Sequence, residues 1–114
     1  MIPSSNISFD RVIETGHRLS NQHYKLFYIF KNSGACRLGI SLPKAAISKA
    51  HDRNRLKRVI RNSMDPLKKE KLDLVFLLKK NRVQYSKNDD MIVRDHLIRD
   101  SKTILLKKDN DGIS

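Results

Sequence analysis

Arg37 to Ser63 reads RLGISLPKAAISKAHDRNRLKRVIRNS. Its first residues alternate: Leu38, Ile40 and Leu42 fall on one side of an extended chain, and Arg37, Gly39 and Ser41 on the other. This predicts a strand over Arg37–Leu42 with one apolar face and one polar or open face. Pro43 ends it, because proline has no N–H to give a ladder. From Ser48 the period becomes helical. Leu56, Val59, Ile60 and Ser63 share a sector, with Leu67 beyond them, and Pro66 forbids much continuation past Ser63. The next apolar run, LDLVFLL from Leu72 to Leu78, has the near-continuous hydrophobicity of a central strand. Strand, helix and strand in this order permit a parallel pairing across the helix.

Working outward, His23–Lys31 reads HYKLFYIFK. Tyr24, Leu26, Tyr28 and Phe30 share one face of a strand, and Phe27 and Ile29 interrupt the other. Both faces are partly apolar, so the strand asks for two covering surfaces. Asn32-Ser33-Gly34 is a turn signal. Upstream, Phe9, Val12 and Ile13 repeat at helical spacing in a short helix predicted over Ser4–Thr15, with Gly16 as its stop. Downstream, Ser86 and Asp89 form a capping box for a last helix in which Val93 and Leu97 are i,i+4 neighbours. Residues 107–114 read as a frayed tail. The order helix, strand, strand, helix, strand, helix predicts an α+β fold in which helices packed on a small sheet make a two-layer sandwich. One domain over residues 1–114 fits the length.

Charge gives the first functional indication. The chain holds 24 Lys and Arg against 12 Asp and Glu, a net charge of +12. Lys44, Lys49, Arg53, Arg55, Lys57, Arg58 and Arg61 stand against the single acid Asp52, so Lys44–Arg61 carries +6, half of the excess. Arg53, Lys57 and Arg61 recur at i, i+4 and i+8, and Asn54 and Arg58 widen their sector. Like charges at this spacing disfavour an isolated helix by roughly 0.2–0.5 kcal/mol per pair, so an anionic partner would relieve them. Arginine supplies a planar fork that matches phosphate oxygens, and an asparagine amide both donates and accepts. The plain alternative is a solvated helix face. Sign, alignment and overall charge favour a nucleic acid or another polyanion.

Other chemistry lacks its residues. His17, His23, His51 and His96 show no compact metal-ligand spacing, and Asp10, Asp52 and Asp73 form no evident catalytic pair. No glycine-rich phosphate loop occurs. Cys36 is the one cysteine, which excludes an intrachain disulfide and a cysteine zinc cluster. No stretch approaches the roughly 20 apolar residues of a membrane span. The first residues, MIPSSNISFD, do not read as a secretory signal, so a cytoplasmic setting without a membrane partner is expected.

Read as a motif, Arg37–Ser63 resembles the signature of the bacterial ribonuclease P protein subunit. Its most specific part is Arg53-Asn54-Arg55-Leu56-Lys57-Arg58, followed by Arg61. Phe9 to Gly16, FDRVIETG, and Asp73 to Lys80, DLVFLLKK, are similar to the family as well. The resemblance covers roughly residues 6 to 100. It implies a ribosomal protein S5 domain 2-like fold of three helices on about four strands, with a left-handed crossover around the basic helix. The expected fourth strand lies near Ile104–Leu106 or in a split of the first long strand.

The resemblance also implies a function. The holoenzyme removes the 5′ leader of precursor tRNA, leaving a 5′-phosphate. Catalysis belongs to an RNA subunit with bound magnesium, so the protein has no catalytic residue and holds no metal tightly. The protein is a cofactor with two partners, the catalytic RNA and the precursor tRNA leader, and needs no obligate protein partner. Carried over by motif, Arg53, Asn54, Arg55, Lys57, Arg58 and Arg61 contact the catalytic RNA. Phe9, Ile13 and Phe27, with Lys44 beside them, line the leader cleft, although Phe9 and Phe27 also read simply as core. Ala45, Met64, Asp65 and Ile13 depart from the family's usual residues. The other reading is a general structured-RNA or ribosome-associated binding protein with no role in cleavage.

Overall fold

The computed structural model describes residues 2–3, 7–80 and 84–113, with side chains for 7–80 and 84–108. In chain order the elements are β1 (Ile2–Pro3), α1 (Phe9–Thr15), β2 (His17–Ser20), β3 (Tyr24–Phe30), β4 (Arg37–Ser41), α2 (Ala50–Ser63), β5 (Leu72–Leu78) and α3 (Lys87–Ile113). A single 3₁₀ turn, Asp65–Leu67, follows α2 and contains Pro66. The sheet order is β1-β4-β5-β3-β2. β4 runs parallel to β5, as the strand-helix-strand pattern permits, and β5 runs antiparallel to β3. The nearly all-apolar run, broken only by Asp73, thus becomes the central strand, buried except at the half-exposed Leu77.

Local chemistry sets the element ends. Ser8 caps α1 by accepting a hydrogen bond from the Arg11 N–H, and the Gly16 N–H closes the helix on the Val12 carbonyl. Residues 4–6 of the expected helix lie outside the described residues. α3 starts at the capping box: the Ser86 N–H donates to Asp89 Oδ2 at 2.9 Å, and the Asp89 N–H returns to the Ser86 carbonyl. Lys107 and Lys108 continue α3, while the side chains of the rest of the expected tail, 109–114, lie outside the described residues.

The fourth strand is β2, not Ile104–Leu106, which lies within α3, and not a split of β3. His17, Arg18 and Ser20 are exposed and only Leu19 is apolar. An edge strand held by backbone pairing to β3 leaves almost no hydrophobic period to read. The two-residue β1 pairs in parallel with β4 on the opposite edge.

The sheet is covered on both faces, as the two apolar sides of β3 require. On one face Tyr24, Leu26, Tyr28, Leu38, Leu74 and Phe76 meet Leu56 and Ile60 of α2 and Val93, Leu97 and Ile104 of α3. On the other, Phe27 and Val75 meet Ile7 and Val12, with Phe9 and Ile13 at their margin. The short α1 therefore sits alone opposite the two longer helices and spans only part of its face.

Candidate nucleic-acid interface

α2 buries Leu56, Ile60 and Ser63 against the sheet and α3. One turn of 100° per residue then sends Asn54, Arg58 and Arg61 outward, and all three are exposed. Among the described residues none of them has an ion pair or a side-chain hydrogen bond, so their donors are available to an outside ligand. Lys57 stands half-exposed at the edge of this face. Arg53, also half-exposed, donates through Nη1 to the Ile47 and Ser48 carbonyls at 3.1 and 2.9 Å. It ties down the chain entering α2, which has no side-chain cap at Lys49.

Arg55 departs from the rest of the motif. It projects from the side of α2 that faces α3. Its Nε donates to Asp90 Oδ2 at 2.5 Å, and its Nη1 to Asp52 Oδ1 at 2.7 Å. Asp90 is 7% exposed and also accepts from the Tyr85 hydroxyl. Two nitrogens of the fork that could grip a phosphate are therefore taken by carboxylates, the buried Nη2 has no partner among the described residues, and the side chain joins α2 to the start of α3. Spacing alone could not separate Arg55 from its neighbours, because its partner lies 35 residues away.

The second candidate surface is the sheet face under α1. Strand register sets Arg18, Phe27, Val75 and Gly39 in one row across it. The next row is Ser20, Lys25, Leu77 and Ser41. Phe9 reaches over Gly39 so closely that a Cβ there would lie 2.6 Å from Phe9 Cζ. The polar face expected for β4 is thus covered at Gly39. α1 covers the first row: Phe27 is 7% exposed, and Phe9 and Ile13 are half-buried. The second row lies beside it with Leu77 and Lys25 half-exposed, and Lys44 stands in the exposed turn just past β4. Phe9, Ile13 and Phe27 are thereby brought together, and Lys44 lies three residues past Ser41, the β4 member of the neighbouring row. Arg18 joins this surface through its register with Phe27, a signal that residue type alone does not carry, whereas Lys25 shares the face of Phe27 by strand alternation.

An ion triad centred on the buried Asp73, with Arg37 and Lys31 half-exposed, lies at the opposite end of this face. Asp73 accepts from Arg37 at 2.9 and 2.8 Å and pairs with Lys31 at 2.8 Å. Burial pushes the Asp73 carboxyl up, but hydrogen bonds and charge from Arg37 and Lys31 outweigh it and hold the group below the usual carboxylate range. Burial also pushes the Cys36 thiol up to about 11, which keeps it protonated and unreactive. Among the described residues no cluster of His, Cys, Asp or Glu could hold a metal ion, and no helix is long and apolar enough to cross a membrane.

These features define a class: a small basic α+β protein with a cationic helix on one side of its sheet and a partly covered, basic-rimmed apolar face on the other. A family model described as Ribonuclease P matches residues 4–99. The ribonuclease P protein component of Legionella pneumophila (strain Lens) is 35% identical over 69 residues, covering 60% of each chain. That of Nitrosococcus oceani is 34% identical over 55 residues, covering 48% of this chain and 46% of the relative. The match to the first of these curated relatives thus spans about 60% of its length. The RNase P protein from Thermotoga maritima superposes with a TM-score of 0.61 at 26% identity, covering 83% of this chain and 89% of that one. The Staphylococcus aureus RNase P protein shares the fold with a TM-score of 0.67 at 22% identity, covering 87% and 93%. The chain belongs to the ribonuclease P protein family.

Proposed function

We propose that this chain is the protein cofactor of a ribozyme-based endonuclease that removes the 5′ leader from precursor tRNA. The observation that carries this reading is the exposed, unpartnered set Asn54, Arg58 and Arg61 on one face of the family's signature helix. Arg58 and Arg61, with Lys57 beside them, grip phosphates of the catalytic RNA, and Asn54 bonds a phosphate or a ribose hydroxyl. Arg53 and Arg55 act at one remove: the first holds the chain entering α2, the second holds α2 against α3. Magnesium, bound by RNA phosphates, supplies the metal-activated nucleophile, and the protein cations screen and position those phosphates. The working location is the cytoplasm.

The leader lies along the sheet beside α1. Phe9, Ile13 and Leu77 offer apolar surface for bases, and Arg18, Lys25 and Lys44 meet the backbone. Phe27 is the covered floor of this surface and supports Phe9 and Ile13 more than it stacks on RNA.

Reconstitution tests the proposal. The protein is mixed with a bacterial ribonuclease P RNA and a precursor tRNA at low magnesium. Stimulated cutting at the mature 5′ end is the expected result, with none from the protein alone. Equal binding to unrelated structured RNAs without stimulation would establish the general RNA-binding reading instead.

A further inference from the structure

A groove of about 420 Å³ lies between α2, the turn after it and α3, lined by Val59, Asn62, Ser63, Pro66, Arg94 and Ile98. Neither the helix motif nor the leader surface uses it. Its walls are mainly apolar, and α3 adds exposed apolar surface beside it: Ile98 is 39% exposed and Met91, two turns earlier, 60%. Ser63 is already satisfied, since its hydroxyl donates to the Val59 carbonyl at 2.7 Å. The free polar groups at the mouth are the Asn62 amide and most of the Arg94 guanidinium, which gives one contact of 3.3 Å to Asp95. The volume falls in the range of about 300–1,000 Å³ usual for small-molecule sites.

The charge around the groove selects among occupants. Asn62 is shared between the groove and the outward face of α2, where Arg58 and Arg61 stand, and Arg94 adds a cation from α3. An apolar slot with a cationic border suits a partner that is flat and apolar in one part and anionic in the next. We infer that the α2–α3 groove receives one unstacked nucleobase of the RNA that α2 binds. Val59, Pro66 and Ile98 pack on the base faces, Asn62 bonds its polar edge, and Arg94 meets the adjoining phosphate. This inference rests on the proposal that α2 binds the catalytic RNA and adds to it a base contact outside the arginine motif.

The test uses the full chain and a bacterial ribonuclease P RNA. Ile98→Trp fills the groove from a half-exposed position, and Asn62→Ala removes the edge contact without touching the core. Each should weaken binding about tenfold, the scale of one lost base contact, while the slope of log affinity against log salt stays as in the natural protein. Chemical probing should show one unpaired base protected by the natural protein and reactive again with Ile98→Trp. Unchanged affinity and unchanged base reactivity in both variants would overturn the inference. Competition by polyglutamate that Ile98→Trp abolishes would assign the groove to an acidic protein instead. If the natural protein fails to bind the RNA at all, the parent proposal fails, and that outcome is distinct from loss in the variants alone. Thermal melting of both variants confirms that they fold.

Discussion

Gly16 and Gly39 both lack room for a Cβ, but against different neighbours. At Gly16 the added carbon would lie 2.4 Å from the Val12 carbonyl oxygen and 2.8 Å from that of Tyr28, both backbone atoms. At Gly39 it meets the end of the Phe9 ring, which can swing away. Gly16→Ala should therefore cost about 2–3 kcal/mol in chemical denaturation, toward the upper end of overpacking penalties, and Gly39→Ala about 1 kcal/mol. Gly39→Ala should instead weaken binding of a precursor tRNA with a leader more than binding of one without. Arg55 is separable from its motif neighbours on the same reasoning. Arg55→Met leaves Asp90 buried beside Tyr85 without its cation, and should lower stability by about 2–3 kcal/mol, somewhat less than loss of a partner in a fully buried pair. Its salt slope for RNA should match the natural protein. Asp73 gives a pH signature. Its pKa is lower in the folded chain than in the unfolded one, so its contribution is complete above the unfolded value and fades as pH falls through the folded value. Asp73→Asn should lower the melting temperature at neutral pH and flatten the acid limb below about pH 4, as read by melts across pH.

At the scale of elements, α2 serves two surfaces with one periodicity. Leu56 and Ile60 seat it, and Arg58 and Arg61 lie across from them. Arg58→Ala and Arg61→Ala should each reduce the salt slope of RNA binding by about 0.7–0.9, one released counterion apiece, with melting temperatures close to the natural protein. α3 does the opposite work. Val93, Leu97 and Ile104 are fully buried under the sheet, and Leu97→Ala should cost about 2–5 kcal/mol of stability without altering the salt slope. α1 is short, covers part of one face, and leaves the row of Lys25 and Leu77 beside it for a ligand. The same incomplete cover that limits its share of the core leaves the face proposed for the leader accessible.

For the molecule as a whole, a charge of +12 on 114 residues opposes compaction and promotes binding to a polyanion. Salt should therefore act with opposite signs. Between about 50 and about 200 mM, the melting temperature of the free protein should rise as repulsion is screened, while RNA affinity falls steeply. The elements that bury regular apolar faces were legible in the sequence, because i,i+2 and i,i+4 spacing carries their pattern: β3, β4, α2, β5 and the capped start of α3. The basic face of α2 and its family motif were legible for the same reason. β2 was not, since three of its four residues are exposed polar groups and pairing along its backbone leaves no side-chain signature. Three matters were decided only by tertiary structure. Packing placed α1 opposite α2 and α3; the crossing of α2 and α3 brought Asp90 to Arg55 and left a groove at Asn62; and strand register set Arg18 beside Phe27. Each depends on how distant segments approach one another. Local periodicity determines which face of an element is apolar, but not which distant residue that face will meet.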